Sequence, residues 1–298
     1  MNCLITGGTG LIGKALIGRL TKQKANITVL TRDKSRAKQI LGSGISFLEE
    51  LSISEIEKQE VIINLAGEPI AEKRWSIAQK NEIYQSRWKI THQLAELIKQ
   101  AKKPPHLFIS GSAIGIYGRQ SDTPINEEYQ QYFEEFTHQV CQTWEEKALS
   151  SQSINTRVVL LRTGIVLAHD GGALKKLLLP FKLGLGGKIA SGKQIMSWIH
   201  LQDMIDAILF IISNETMTGA VNLTAPNPVS NKVFSQTLAK RLNRPSLLTT
   251  PSWLLTLVLG EMADLMLYGQ NVMPKKLCDA GFTYKFPELA AALEDLLP

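Results

Sequence analysis

The chain has 298 residues, 44% hydrophobic and 20% charged, with a formal net charge of +6. That composition belongs to a soluble globular protein, and the length suffices for one large α/β domain or a domain of about 200 residues with a smaller lobe. The basic residues fall as scattered doublets (Lys102-Lys103, Lys175-Lys176, Lys275-Lys276) with no long basic run and no aromatic–basic alternation, which argues against a nucleic-acid partner.

Asn2–Thr6 is apolar and reads as a strand. MNCLITGG has neither the basic flank nor the long apolar core of a signal peptide. A glycine turn and a helix over about Leu11–Lys22 follow. Ile27–Leu30 is the next strand, then a helix begins near Asp33, a good N-cap. Glu60–Ala66 (EVIINLA) is a buried strand. A helical pattern over about Ser76–Lys102 stops at Pro104-Pro105. His106–Ser110 is a strand, Glu134–Ser150 a helix and Thr156–Arg162 a strand. Strands that are apolar without alternation, separated by helices, predict a parallel sheet covered on both faces.

After Gly164 the pattern loosens. Gly184, Gly186 and Gly187 mark a loop, MSWIH is strand-like, Gln202–Ser213 is helical and Ala220–Leu223 is a short strand. Pro226 and Pro228 frame a turn, and the rest is mostly helical. Residues 1–170 read as one domain, with about 195–225 returning to it, and 171–298 as a smaller substrate-side lobe. TPSWLLTLVLGEMADLMLYG is the most apolar late stretch. Glu261 and Asp264 interrupt it well short of the ~18 uncharged residues of a membrane span. It reads as an amphipathic core helix, with a membrane-surface or partner-binding helix as the alternative. Cys3, Cys141 and Cys278 are far apart and odd in number, so no disulfide framework is expected, and a reducing, cytoplasmic compartment is.

ITGGTGLIG carries the first chemistry. Gly7, Gly10 and Gly13 have G-x-x-G-x-x-G spacing between a strand and a helix, as a dinucleotide-binding turn requires. Gly7 allows the sharp exit from the strand. Gly10 lets backbone approach a pyrophosphate, and Gly13 lets the helix pack closely on the sheet. The N–H groups at the helix start then face the phosphates. An acidic residue ending the second strand would select NAD. Here Arg32 stands there, suited to a 2′-phosphate, with Arg36 one turn on, so NADP(H) is the expected cofactor. Asp33 complicates this, but its position suits capping.

TGGTGLIG, NLAG (Asn64–Gly67), ISGSAIGIYG (Ile109–Gly118), LRTGIVL (Leu161–Leu167) and WIHLQDM (Trp198–Met204), in this order, resemble the extended short-chain dehydrogenase/reductase superfamily. More narrowly, NLAGEPIAEKRW, SRWKIT, FTHQVCQTWEE, GLGGKIASGKQIMSWIH and LYGQNVMPKKLCDAGF look like the atypical "epimerase family", sugar-nucleotide-epimerase-like proteins with a characteristic C-terminal domain. The resemblance spans nearly the whole chain. It implies an α/β, Rossmann-type doubly wound parallel sheet with a smaller, mostly helical C-terminal lobe, and NADP(H) binding. By position, Gly7, Gly10, Leu11, Ile12 and Gly13 would hold the pyrophosphate. Asn64, Leu65, Ala66 and Gly67 would line the adenosine side, and Thr163, Gly164 and Ile165 would lie near the nicotinamide.

The superfamily normally pairs a serine with Tyr-x-x-x-Lys: the tyrosine supplies a proton to the carbonyl that receives hydride, and the lysine lowers the tyrosine pKa. Ser112 is the candidate serine. Ser110 is the second choice and otherwise a cofactor contact. The Tyr-Lys pair is missing: one register of the helix after Glu135 puts Phe136 and Val140 at the two positions, the other Thr137 and Cys141. Tyr117 is a candidate replacement acid, or else a binding or packing residue. Arg87 and Lys89 face either the cleft or solvent. Glu68, Arg74 and Trp75 would bind a substrate with anionic and apolar parts, or else brace their loop. Lys193, Trp198, His200 and Asp203 lie on the side expected to face substrate, Asp203 equally as a helix cap. His138 and Cys141 share a helix turn but lack a second ligand pair, so no metal is expected. Ser112 has Gly before it and Ala after it, which is no hydrolase elbow.

The expected function is therefore that of an NADP(H)-dependent reductase or epimerase acting on a small-molecule carbonyl or hydroxyl substrate. A non-catalytic NADP(H)-binding regulator working through its C-terminal helices is the second class. A homodimer stays open.

Overall fold

The computed structural model of the chain describes residues 1–297. Its first half comprises β1 (Asn2–Thr6), α1 (Leu11–Lys22), β2 (Asn26–Leu30), α2 (Lys34–Leu41), β3 (Ser46–Leu48), α3 (Ile53–Ile56), β4 (Val61–Asn64), α4 (Ile77–Gln100), β5 (Leu107–Ala113) and α5 (Phe136–Leu149). Next come β6 (Arg157–Thr163), β7 (Ile165–Leu167), α6 (Gly172–Lys182), β8 (Gly187–Ile189), β9 (Ile195–Met196), β10 (Trp198–His200), α7 (Leu201–Ser213) and β11 (Gly219–Leu223). The chain ends with β12 (Val229–Ser230), α8 (Asn231–Arg241), β13 (Leu248–Thr250), α9 (Ser252–Leu259), α10 (Asp264–Leu267), α11 (Lys275–Asp279) and α12 (Leu289–Leu296).

Seven parallel strands form the central sheet in the order β11-β6-β5-β4-β1-β2-β3. The winding reverses between β1 and β4, so the crevice beyond the carboxyl ends of these two strands is the natural ligand position. The strands are apolar throughout because both faces are covered. Cys3 and Ile5 pack with α1 and α7, while Leu4 packs with Leu94 and Ile98 of α4 and Ala148 of α5. The edge strand β3 escapes sequence reading: three residues are too few to show a period.

A second core joins α6, α8 and α12 around Trp198, Phe234, Leu238 and Leu293. The chain does not stay in that lobe. Leu277, Phe282 and Tyr284 return to the first core, and Asp203 accepts the N–H groups of Lys285 (2.8 Å) and Phe286 (2.9 Å).

The expected core helix at TPSWLLTLVLGEMADLMLYG is corrected. Gly260, at φ +62°, ends α9 after eight residues, and a 3₁₀ turn leads into α10. No residue of α9 is buried, and Trp253, Leu257 and Val258 are 60–67% exposed. An all-round apolar sequence says that a helix prefers cover, not that this chain supplies it. No helix among the described residues is long and apolar enough to cross a membrane.

Candidate functional site

The glycine turn is built for close approach. Gly7 sits at φ +68°, where a Cβ would lie 2.5 Å from Leu65 O. A Cβ at Gly13 would lie 2.4 Å from Gly7 O, so only glycine lets α1 start this near β1. The first backbone bond of α1 runs from Lys14 N–H to Gly10 O at 2.9 Å. The N–H groups of Leu11, Ile12 and Gly13 are therefore left for a ligand, without an acid in the first turn to oppose an anion. Arg32 is exposed just past the end of β2. Asp33 caps α2, its Oδ1 accepting the Arg36 N–H at 2.9 Å.

Across the crevice the register places Thr6, Asn64 and Ser110 in one row. Thr6 Oγ1 donates to Asn64 Oδ1 at 2.6 Å, and Asn64 Nδ2 donates to Thr91 Oγ1 of α4 at 2.8 Å. Asn64 and Ser110 are fully buried, and the Ser110 hydroxyl reaches Gly111 O at 3.3 Å. Their side chains turn toward α4 and α5, so at this rim it is backbone that faces the crevice. Thr6, tied to Asn64, holds the rim formed by Leu65, Ala66 and Gly67, its Oγ1 accepting the Ala66 N–H at 3.3 Å. At the end of β6, Thr163, Gly164 and Ile165 are half-buried. A Cβ on Gly164 would meet Ser197 O at 2.6 Å, so glycine is needed where β6 passes β10.

A second row, Ser112–Arg162–Asn222, crosses β5, β6 and β11. Ser112 Oγ donates to Glu145 Oε1 of α5 at 2.6 Å. Arg162 clamps the same carboxylate, Nε to Oε1 at 2.9 Å and Nη2 to Oε2 at 2.8 Å, and donates Nη1 to the Tyr117 hydroxyl at 3.0 Å. Tyr117 in turn donates to Asn222 Oδ1 at 2.8 Å. Burial works against the charge on Arg162, but its bonds to Glu145 outweigh this and hold its pKa above the ordinary arginine value. Burial pushes the Tyr117 phenol up to about 12, although Arg162 and Asn222 pull the other way. Tyr117 is fully buried and Ser112 nearly so, at 5% exposed. The geometry also decides the α5 register. Cys141 lies beside Ser112, its thiol pushed up to about 12 by burial and then by Glu145. Phe136 and Val140 turn away onto Ile83. Neither an acid of ordinary strength nor a cation stands in the Tyr-Lys positions.

Sequence reading missed the Glu145–Arg162 pair. The available signal was Arg162 inside the apolar run of RVVLLRT, a buried charge that has to be matched by an opposite one.

The expected substrate residues each have partners of their own. Glu68 pairs with Lys73 at 3.5 Å. Arg74 is exposed and lies against Gly260, whose added Cβ would stand 2.8 Å from Nε. Trp75 braces its loop, donating its indole N–H to Ile70 O at 2.8 Å and meeting Phe136 edge-on. Lys193 is exposed on the turn between β8 and β9. Trp198 is corrected to a core residue: it is fully buried and donates to Asn227 O. His200 and Asp203 are structural. His200 Nδ1 caps α7 by accepting the Gln202 N–H at 3.0 Å. Lys89 faces solvent, whereas Arg87 turns inward against Gly67.

Residues 3–223 match the NAD dependent epimerase/dehydratase family, and residues 250–296 match a domain of unknown function, DUF1731. The chain belongs to the NAD dependent epimerase/dehydratase family. An epimerase family protein of Staphylococcus haemolyticus is 38% identical over 294 residues, covering 99% of this chain and 98% of that one. The human epimerase family protein SDR39U1 (isoform 2), crystallised with NADPH, superposes with a TM-score of 0.89 at 32% identity and covers 99% of both chains. A UDP-glucuronic acid 4-epimerase from Bacillus cereus, solved with UDP-glucuronic acid and NAD, shares the fold at a TM-score of 0.79 and 16% identity, covering 99% of this chain and 98% of that one. Family membership accounts for the seven-stranded Rossmann-like sheet and for the glycine turn after β1.

Proposed function

We propose that this protein binds NADP(H) and works as a reductase or epimerase on a small carbonyl or hydroxyl compound, of which a nucleotide sugar is one kind. Support for the cofactor comes from the glycine cradle, the N–H groups of Leu11–Gly13, the exposed Arg32 and the human relative crystallised with NADPH. NADP(H), when bound, supplies hydride exchange at the reacting carbon.

The observation that carries the reading is the 2.6 Å bond from Ser112 to Glu145. With its hydrogen committed to the carboxylate, the Ser112 oxygen has only lone pairs left, and these accept a hydrogen bond from a substrate hydroxyl. The same bond is a proton route. Ser112 Oγ takes the hydroxyl proton as it releases its own to Glu145 Oε1, and the reverse direction serves a reduction. Arg162 holds the carboxylate in place. Tyr117 stays protonated at neutral pH and holds Arg162, a positioning role rather than that of the proton donor.

The test is NADPH consumption by the purified protein against fractionated small-molecule extract, with mass spectrometry of what disappears. The expected result is a fraction that supports turnover, lost in Ser112→Ala with NADPH binding kept. Tight NADPH binding with silence in every fraction overturns the enzyme reading.

The uncovered face of α9 favours a second reading, a non-catalytic NADP(H)-binding regulator that engages a partner or a second copy through Trp253 and Leu257. Trp253→Ser with Leu257→Ser is the right probe. Deleting the C-terminal segment would also remove Leu277 and α12 from the two cores.

A further inference from the structure

Arg87 lies mid-way along α4, and its guanidinium is turned toward the NLAG turn. A Cβ built on Gly67 would stand 3.0 Å from Arg87 Cζ and 3.2 Å from both Nε and Nη2, so the missing side chain at Gly67 makes room for the guanidinium. On its other side Arg87 stacks over the Trp144 ring at 5.2 Å, and Trp144 presses on Gly111, next to Ser112. Its hydrogen bonds use Nη1 alone, to Ile83 O at 3.1 Å and Ser86 Oγ at 3.5 Å. Nε and Nη2 have no partner among the described residues. Glu68, the acid nearest in charge, is paired with Lys73 instead. Burial lowers the Arg87 pKa, against a smaller upward pull from Cys141 and Glu68.

Arg87 is half-buried, and the fork formed by its two adjacent donors unused by the protein matches two oxygens of a phosphate or carboxylate. We propose that Arg87 is an oxyanion-binding residue of the cleft, supplying from α4 the cation that α5 lacks. The inference rests on the proposed NADP(H) reading. The oxyanion comes either from the cofactor's pyrophosphate, since Gly7 abuts Leu65 and Ala66 just before Gly67, or from an anionic group on the substrate.

The test compares wild type, Arg87→Gln, Arg87→Lys and Gly67→Ala, the last of which crowds the guanidinium without altering it. NADPH and 2′,5′-ADP are titrated calorimetrically. Inorganic phosphate and malonate are titrated onto NADP-loaded and unloaded protein by thermal shift. Arg87→Gln and Gly67→Ala are expected to weaken NADPH or the small anions about 10- to 100-fold, with Arg87→Lys between and the ligand-free melting temperature not lowered; 2′,5′-ADP, which keeps the adenosine-side phosphate of the pyrophosphate, weakens with NADPH only where Arg87 contacts that phosphate. Loss of NADPH affinity identifies the cofactor as source. Loss of phosphate or malonate protection with NADPH affinity kept identifies the substrate. A lower melting temperature with every affinity kept overturns the proposal and makes Arg87 a packing residue. Failure of wild type to bind NADPH would sink the cofactor reading alone, since the unloaded anion titrations still test Arg87.

Discussion

Replacing Glu145 by Gln removes the charge from the centre of the buried network while keeping its shape. The two side chains of the ion pair are only 9% and 7% exposed, so solvent cannot stand in for the lost carboxylate. Three bonds converge on Glu145: Ser112 Oγ and Arg162 Nε on one oxygen, Arg162 Nη2 on the other. A glutamine oxygen can keep one side, but its NH2 then faces a donor on the other. Arg162 is left charged and buried, a loss of about 3–5 kcal/mol. At roughly 2.1 cal/mol/K per residue, a chain of this size unfolds with an entropy near 0.6 kcal/mol/K, so the melting temperature should fall by about 5–8 °C. The assay is calorimetric or circular-dichroism melting of Glu145→Gln, of Arg162→Met and of the double variant. Removing both charges should recover much of the loss, because no uncompensated ion remains. A fall of under about 1 °C, or a double variant worse than the sum of the singles, would refute the buried-pair argument.

Two further outcomes follow from the geometry. Arg32→Ser should weaken NADPH binding about tenfold and leave NADH unchanged, as loss of one charge-assisted contact to the 2′-phosphate requires; equal effects on both nucleotides in a fluorescence titration would remove Arg32 from cofactor choice. His200 is lowered in pKa, by burial first and despite the pull of Asp295, and its Nδ1 lone pair caps α7. A depressed folded-state pKa means that the unfolded chain binds the proton first. His200 therefore contributes stability that is complete above its unfolded value of about 6.5 and is lost as pH falls below it through the folded value. Melting from pH 8 to 5 should show this decline, reduced in His200→Asn, which keeps a capping oxygen; an identical pH slope in that variant would remove His200 as its source.

Local chemistry was readable from the chain alone. ITGGTGLIG carries its own explanation, because the φ of Gly7 and the packing of Gly13 are needs of a few adjacent residues. Strand and helix alternation likewise forced a covered parallel sheet, since EVIINLA and RVVLLRT cannot alternate when both faces are buried. Side-chain direction was decided elsewhere. Whether Asn64, Ser110 and Trp198 face a ligand or the interior depends on strand parity and on which helix lies above, and all three turned inward. The row Ser112–Arg162–Asn222 exists only once β5, β6 and β11 are in register, and Glu145 joins it from a helix 33 residues away from Ser112. The same holds for Arg87, whose exposure along α4 is set by the gap at Gly67, and for α9, whose apolarity states a need for cover that no other part of the described chain meets. Sequence determines what each segment requires of its surroundings; only the tertiary structure decides which segment supplies it, because those contacts join residues with no neighbourhood along the chain.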